Sequence, residues 1–180
     1  MDAVGNSRLE QRLANLPRTF TTAQARQALL SPRDLAHLVT EAVIDELSRG
    51  VYRRADAPET AHADLLAVCA RAPRAVVCGE SALALHELID DIPAAVHIAV
   101  PRGTSRPTIS PAETTPMYDA ARSVVDAMRH RSRLGEALAL SALGRHLRRS
   151  GRGGVGELQH FASELDALAV VRPAMEAVLA

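Results

Sequence analysis

Three polar side chains near the N-terminus recur at the spacing of one helical face. Arg33, His37 and Thr40 lie at positions i, i+4 and i+7, so a helix through this stretch would display all three together. An arginine can pair bidentately with guanine or with a phosphate, and a threonine hydroxyl can hydrogen-bond to a phosphate oxygen. The spacing therefore predicts a face that contacts nucleic acid, with Arg33 reading bases.

Further polar residues flank this stretch on both sides. Arg49, Arg53 and Arg54 follow it and suit contacts with a phosphate backbone. Four other residues lie before this stretch or at its start, near the N-termini of predicted helices, where backbone N–H groups can bind a phosphate. These four complete the predicted DNA-contacting set: Thr21, Thr22, Gln24 and Ser31.

The elements that would position these residues are marked by capping and turn signals. A first helix is predicted because Leu9, Leu13 and Leu16 are spaced like one helical face, and Pro17 follows them. Thr21 or Thr22 suits the N-cap of a short helix through Ala28. A second helix starts with Ser31 as N-cap, Pro32 at the first position and Asp34 near the positive helix end. It should run to about Ala42 and bury four apolar residues: Leu35, Leu38, Val39 and Ala42.

A β-hairpin is predicted next, with Val43–Leu47 and Val51–Arg54 as strands and Gly50 in the turn. Helix, short turn, capped helix and hairpin is the order of a winged helix-turn-helix, whose second helix enters the DNA major groove. The alternative is a winged helix that acts as a protein-docking or dimerisation module, because the second helix carries Asp34 and Glu41 beside its single arginine.

The remainder of the chain predicts a helix-rich α/β domain with a small sheet. Helices are expected at Thr60–Arg71, Glu80–Leu88, Ala120–Arg131, Gly135–Arg149, Val155–Leu168 and Pro173–Leu179, and strands at Ala75–Cys78 and Val96–Val100. Ala55–Thr60 should be a linker, Pro101–Pro116 a loop and Ser150–Gly156 a turn between helices. We therefore predict an α+β protein with a winged helix-turn-helix at residues 1–56 and an α/β domain at residues 60–180.

Charge and composition narrow the class of protein. The chain has 21 arginines and no lysine, and 21 acidic residues bring the formal net charge to zero. Residues 1–54 carry +2, residues 55–120 carry −5 and residues 121–180 carry +3. This balance excludes a uniformly basic, histone-like binder, while the basic ends favour contacts with anions. The apolar runs are far shorter than the roughly 20 residues that span a bilayer, and Met1–Phe20 lacks a signal-peptide core. Cys69 and Cys78 are expected to be reduced, in a cytoplasmic protein.

No motif for catalysis, a metal or a cofactor is found. Ser81 lies in a sequence resembling a nucleophile elbow, but Leu83 stands where that motif needs glycine. Phosphate-binding loops of the Walker and dinucleotide types are absent. None of the seven histidines has a His or Cys partner at i+3 or i+4, so a zinc site lacks a nucleus. We expect a non-enzymatic protein.

Two arginine stripes lie in the predicted C-terminal helices. Arg145, Arg148 and Arg149 fall at i, i+3 and i+4. The other stripe lies upstream at i, i+7 and i+11 and shares roughly one face if that helix extends to its last member: Arg122, Arg129 and Arg133. Such stripes suit either a nucleic-acid backbone or an acidic partner, and a solvated face is the equal alternative. We take five of these residues as a possible secondary basic face: Arg122, Arg129, Arg145, Arg148 and Arg149.

The order of several short motifs resembles the AbiEi family of antitoxins from type IV toxin–antitoxin (abortive infection) systems. The N-terminal motifs are Phe20-Thr-Thr-Ala-Gln-Ala, Ser31-Pro-Arg-Asp-Leu and Arg49-Gly-Val-Tyr-Arg. The later ones are Glu80-Ser-Ala-Leu-Ala-Leu-His-Glu-Leu, His97-Ile-Ala-Val-Pro-Arg-Gly, Tyr118-Asp-Ala-Ala-Arg-Ser-Val-Val-Asp-Ala-Met, Arg133-Leu-Gly-Glu-Ala-Leu-Ala-Leu and Val171-Arg-Pro-Ala-Met-Glu-Ala. Between His97–Arg102 and Tyr118 the family usually has a longer, strand-forming stretch, where this chain has a short proline- and threonine-rich segment.

The resemblance implies an antitoxin that binds inverted repeats in its own promoter through the winged helix and represses its own transcription. It also implies a C-terminal domain that counteracts a nucleotidyltransferase-like toxin, directly or functionally. The basic DNA-facing surface of the family corresponds to Arg33, Arg49, Arg53 and Arg54, and less directly to Arg122, Arg129, Arg145 and Arg148. Two other functions are considered: a docking module that binds the toxin or another partner without DNA, and an enzyme such as an atypical kinase, for which no motif is present.

Overall fold

The chain is a mixed α+β protein that divides into two compact units. Its computed structural model describes residues 3–100 and 117–180, with side chains from Arg8 onward, so the predicted loop Pro101–Pro116 lies outside the described residues. Of the described chain, the first unit takes the residues up to Ala75 together with Val100, and the second takes Val76–Ala99 and residues 117–180. None of the described helices is both long and apolar enough to cross a membrane.

The first unit combines four helices with an antiparallel sheet. In chain order its elements are α1 (Ala3–Ala14), β1 (Thr19–Thr21), α2 (Thr22–Gln27), α3 (Pro32–Thr40), β2 (Ile44–Ser48), β3 (Val51–Arg54) and α4 (Ala63–Arg71). The strand order is β1-β3-β2, so β3 pairs on both sides. Tyr52 of β3 lies opposite Phe20 of β1 and Glu46 of β2, and the β2–β3 register shifts between Glu46 and Ser48. Strand β1 was not predicted from the sequence.

Apolar residues from α1, α2, α3 and the sheet form one core. Phe20, Ala25 and Ile44 are fully buried, and the ring of Phe20 stacks on Tyr52 with centroids 5.8 Å apart. Burial of a side chain the size of Phe20 or Ile44 contributes roughly 1.5–3 kcal/mol. The predicted face of α1 is confirmed for its two leucines inside the helix, Leu9 and Leu13, both 5% exposed.

Helices α2 and α3 end on residues with positive φ that are not glycine. Leu29 has φ 63° after α2, and Ala42 has φ 53° after α3. In each case the next N–H donates across the helix end, from Leu30 to the Ala25 carbonyl (2.9 Å) and from Val43 to the Leu38 carbonyl (2.9 Å). This is the hydrogen bond of a Schellman motif, where glycine is usual because it has no Cβ.

Helix α3 is shorter than the sequence suggested. Leu35 and Leu38 are buried as predicted, but Val39 is 38% exposed and Ala42 lies beyond the helix end on an exposed turn. The predicted four-residue stripe is therefore wrong for Val39 and Ala42. Val39 lies inside α3 but on its exposed side, and Ala42 follows the helix in a turn with positive φ.

Helix α4 belongs to the first unit. It buries Leu65 and Ala67 and packs on β1, β2 and β3. The predicted second domain starts at residue 60, whereas the first compact unit extends through Ala75. The first unit extends further than predicted because the apolar face of α4 packs on the sheet. The sequence of the short connection between β3 and α4 does not indicate that packing.

The second unit is dominated by helices. Its elements are β4 (Val76–Val77), α5 (Gly79–Leu85), β5 (Ile98–Ala99), α6 (Ala120–Arg129), α7 (Arg131–Leu134), α8 (Glu136–Glu164) and α9 (Leu168–Leu179). Strands β4 and β5 pair antiparallel, and Val77 bridges to Met117 in parallel. The core lies where α6, α8 and α9 pack together, and its fully buried residues include Val124, Val125, Leu143, Leu158 and Val171.

Of two predicted breaks in the C-terminal helices, the first is confirmed in part and the second is displaced. Gly151 has non-helical backbone angles (φ 55°, ψ −140°), so two helical segments of α8 meet at a kink within the predicted turn Ser150–Gly156, and the break is shorter than expected. Gly154 lies in the buried side of this kink, where a Cβ would approach the Ser150 Cβ to 2.7 Å. The second break is predicted between Leu168 and Pro173. It lies earlier, between Glu164 and Leu168, so Pro173 lies inside α9. Proline inside a helix removes one N–H donor and crowds the carbonyl four residues earlier, but the buried residues Val171 and Met175 on either side of it keep α9 on the core.

Replacing Ala42 by glycine should stabilise the first unit, because glycine relieves the strain of a positive φ. We expect the free energy of unfolding, measured by urea denaturation, to rise by about 1 kcal/mol. Ala36→Gly is the matched control, since Ala36 is an exposed residue inside α3. The same change should cost about 1 kcal/mol there. Equal losses in both variants would contradict this account of the α3 end.

Candidate nucleic-acid interface

The start of α3 is built by reciprocal hydrogen bonds between Ser31 and Asp34. The Asp34 N–H donates to the Ser31 hydroxyl (3.2 Å), and the Ser31 N–H donates to the Asp34 carboxylate (2.7 Å). This capping box confirms the predicted N-cap. The hydrogen bonds from Ser31 hold the pKa of Asp34 below its usual value, so the carboxylate stays ionised at the helix end. Ser31 therefore serves the helix, and the only acid within α3 is committed to its cap.

The outward face of α3 carries the residues predicted to contact DNA. Arg33 is exposed and makes no hydrogen bond or ion pair with the described residues. His37 is half-buried in the last turn, and the exposed Thr40 hydroxyl donates to the Ala36 carbonyl (2.9 Å). Thr40 can thus accept a hydrogen bond from a ligand but already uses its proton within the helix. The freest of the three is Arg33.

The N-terminus of α2 differs from the predicted phosphate site. Thr21 and Gln24 form a second capping box, and Gln24 is only 8% exposed. Thr22 donates from both its backbone N–H (3.0 Å) and its hydroxyl (3.2 Å) to the Gly50 carbonyl. Because these groups already have partners inside the protein, the expectation that Thr21, Thr22 and Gln24 hold a phosphate does not fit the structure.

Of the three arginines of the hairpin, one is exposed without a partner among the described residues and two have partners within the unit. Arg49 lies exposed in the turn with Gly50, and its guanidinium makes no hydrogen bond or ion pair with the described residues. Arg53 donates to the Thr19 hydroxyl (2.9 Å) and the Pro58 carbonyl (2.6 Å). Arg54 pairs bidentately with Asp56 through Nε (2.8 Å) and Nη2 (2.5 Å), and this pairing lowers the pKa of Asp56. Arg53 and Arg54 are therefore occupied within the unit, contrary to their predicted role.

Three further arginines of the first unit were missed by the sequence analysis. Arg12 of α1 donates to the Leu29 carbonyl (2.8 Å) at the end of α2, and Arg71 of α4 donates to the Arg49 carbonyl in the hairpin turn. Arg26 is exposed in the last turn of α2. The first two contacts join residues that are 17 and 22 positions apart, so no local sequence pattern predicts them. Arg26 follows directly after the motif Phe20-Thr-Thr-Ala-Gln-Ala.

The proposed secondary basic face is largely occupied in the second unit. Arg145 pairs bidentately with Asp90, and this hydrogen bonding lowers the pKa of Asp90. Arg149 donates to the His86 carbonyl (2.8 Å) and pairs with Glu87 (3.3 Å). Both arginines hold the segment after α5 against α8. Exposed ion pairs of this kind contribute little to stability, but they remove the two cations from the predicted face.

Of the other three arginines of the predicted secondary face, one contacts a neighbouring side chain and two make no hydrogen bond or ion pair with the described residues. The Arg122 guanidinium lies over the Tyr118 ring, 4.2 Å from its centroid, and its Nε is buried. Arg129 and Arg148 are exposed and make no hydrogen bond or ion pair with the described residues. Two unengaged cations on different helices do not form the continuous stripe that the helical spacing suggested.

A buried histidine lies beside the α8 kink. His146 is 3% exposed, its Nε2 has no hydrogen-bond partner in the described structure, and Glu157 Oε2 lies 4.0 Å away. Burial lowers the pKa of His146 below its usual 6.5, while Glu157 opposes and His86 and Arg149 assist that shift. Among the described residues, no group of three His, Cys, Asp or Glu side chains could hold a metal ion.

Comparisons with known proteins add no assignment to this geometry. No protein-family model matches the chain, and no curated protein matches it.

The buried His146 should make the second unit less stable in mild acid. Its folded pKa lies below its unfolded value, so the unfolded chain binds the proton first as the pH falls below about 6.5. The free energy of unfolding should therefore drop below that pH, by at most about 1.4 kcal/mol per pH unit for one proton. Denaturation at several pH values measures this slope.

Two variants assign the slope to its residue. His146→Gln should flatten it, whereas His160→Gln should keep most of it because the His160 side chain is 66% exposed on the same helix. An NMR titration of His146 that gave a pKa above 6.5 would contradict the prediction.

Proposed function

We propose that the first unit is a winged helix-turn-helix that binds double-stranded DNA, with α3 in the major groove and the β2–β3 hairpin as the wing. The order α1-β1-α2-α3-β2-β3 and the sheet order β1-β3-β2 support this proposal. A helix-turn-helix places its second helix against base edges, and α3 is the second helix of the short α2–α3 pair.

The observation that carries the proposal is the chemistry of the exposed face of α3. Leu35 and Leu38 anchor the helix in the core, and the Asp34 carboxylate is turned back to the cap. Arg33 is left exposed on the opposite side, without an acid partner among the described residues. An unpaired arginine near the N-terminus of a solvent-facing helix is suited to bidentate contact with guanine or a phosphate.

The structure also narrows which residues we propose as DNA contacts. Arg33 and Arg49 are the principal ones, with His37 and Thr40 on the same face as Arg33. The others support the unit through internal contacts, as caps or as fixed side chains: Thr21, Thr22, Gln24, Ser31, Arg53 and Arg54. Arg26 is added as a candidate contact with the DNA phosphate backbone because it is exposed on α2.

For the whole chain we propose a non-enzymatic antitoxin that represses its own promoter and counteracts a nucleotidyltransferase-like toxin. The order of motifs along the sequence supports this part, including the two that supply the caps of α2 and α3. The second unit is proposed as the part that acts on the toxin. Cells that express the toxin, the product of a neighbouring gene, should stop growing, and coexpression of this chain should restore their growth.

Binding to the upstream region of its own gene tests the DNA proposal. Fluorescence anisotropy with a labelled duplex from that region should show binding roughly 10³-fold tighter than to a random duplex. The affinity should fall steeply with salt, because counterions return to the phosphates when arginines leave. Equal affinity for both duplexes, or no binding to either, would contradict the proposal.

Arginine substitutions test the narrowed interface. Arg33→Ala should cost about 1–3 kcal/mol of binding and relax specificity at one base position. Arg53→Ala is the matched control, because its guanidinium contacts Thr19 and Pro58 within the unit. It should lower the free energy of unfolding by about 1 kcal/mol and leave the affinity of the folded protein near that of the wild type. Equal losses of affinity would show that Arg53 contacts DNA.

A docking module remains the second candidate because of Leu29, which is 71% exposed in the turn between α2 and α3. The observation that favours a protein partner is a large apolar side chain held exposed at positive φ, where glycine is usual. Leu29→Asp should then abolish coprecipitation of the toxin while the variant keeps the circular dichroism spectrum of the folded protein. If the wild type binds toxin but no DNA, this candidate replaces the DNA-binding proposal.

A further inference from the structure

The tip of the β2–β3 hairpin, Arg49 and Gly50, is held from three directions. Thr22 of α2 donates its N–H (3.0 Å) and its hydroxyl (3.2 Å) to the Gly50 carbonyl. Glu46 of β2 accepts the Gly50 N–H (2.9 Å), and Arg71 of α4 donates to the Arg49 carbonyl. The backbone polar groups of this turn therefore have partners on α2, β2 and α4.

Glycine is required at the tip by two independent features. Gly50 has φ 74°, where side chains are strained, and a Cβ there would approach the Thr22 hydroxyl to 2.9 Å. The turn thus lies directly against the start of α2. The two-residue loop cannot swing away from α2 without breaking the bonds to Thr22.

We propose that Thr22, Glu46 and Arg71 are positioning residues, which act through the backbone of the hairpin tip to hold Arg49 where it contacts a DNA phosphate. This inference rests on the proposed DNA-binding function. The Arg49 backbone is fixed while its guanidinium stays exposed and unengaged among the described residues. A tip ordered before binding loses less conformational entropy when it meets DNA than a mobile one would.

Arg71 is the informative member of the three because it lies outside the helices and hairpin of the proposed winged helix. Its guanidinium donates to a carbonyl of the tip, whereas the neighbouring Arg74 is exposed and makes no hydrogen bond or ion pair with the described residues. The two residues carry the same charge and lie three positions apart. They therefore separate a positioning effect from a general loss of positive charge.

A double-mutant cycle on DNA affinity tests the inference. The probe is a labelled duplex from the region upstream of the gene, titrated at several salt concentrations. Arg49→Ala should weaken binding about tenfold, equivalent to 1.4 kcal/mol, and reduce the salt slope by about one. Arg71→Ala should weaken binding by a similar factor and reduce the salt slope equally. The double variant should bind like Arg49→Ala alone, and Arg74→Ala should bind like the wild type.

Thr22→Val provides a second route to the same coupling, in case Arg71→Ala unfolds. It removes the hydroxyl donor to Gly50 with little change in shape, and its effect on affinity should likewise vanish in the Arg49→Ala background. A role limited to stability would change urea unfolding but neither the salt slope nor the coupling.

The outcomes separate the two proposals. If the wild type binds no DNA, the proposed function fails and this inference fails with it. If the wild type binds DNA and the losses of Arg49→Ala and Arg71→Ala add together, Arg71 acts independently of the tip and only the inference is overturned. The inference is also overturned if Arg49→Ala binds like the wild type or if Arg74→Ala weakens binding as much as Arg71→Ala.

Discussion

The first unit depends on the capping of two short helices. Helix α2 has six residues and α3 has nine, and isolated helices shorter than about 12–15 residues are marginal in water. Each therefore needs partners for the backbone groups at its ends, and side chains such as Ser31, Asp34 and Gln24 supply them. Polar residues that look suited to ligand contact are consumed by this requirement. What remains exposed, above all Arg33, is what the unit can offer to a partner.

Arginine serves the same structural need at longer range. Arg12, Arg53 and Arg71 each donate to a backbone carbonyl at a helix end, a loop or a turn. A guanidinium has several donors on a long stem, so one side chain can satisfy carbonyls on a neighbouring element. Because the chain has no lysine, arginine supplies both the cations bonded within the fold and the exposed ones. Counting arginines on a helical face therefore overestimates the binding surface, as Arg145 and Arg149 also show in the second unit.

The second unit follows a different constraint, the burial of the two helical segments of α8. Helix α8 packs on both α6 and α9, and it is fully buried at Leu143 and Leu158 on either side of the Gly151 kink. The positive φ of Gly151 interrupts the helix, and burial resumes beyond it. His146 is buried before the kink without a hydrogen-bond partner for Nε2 in the described structure. This unit is thus built around the packing of its helices.

The sequence by itself determined the features whose partners lie within four residues. The capping box at Ser31 and the proline at the first position of α3 are such features, and the sequence also placed an N-cap at Thr21 or Thr22. Tertiary structure decided whatever depended on distant partners. It placed α4 on the first unit, bonded the hairpin tip at Gly50 to Thr22 and paired Arg53 with Thr19 across 34 positions. The physical reason is that a hydrogen bond between neighbouring elements leaves no periodic trace in either, so the division of arginines between internal bonds and an open surface appears only in the folded chain.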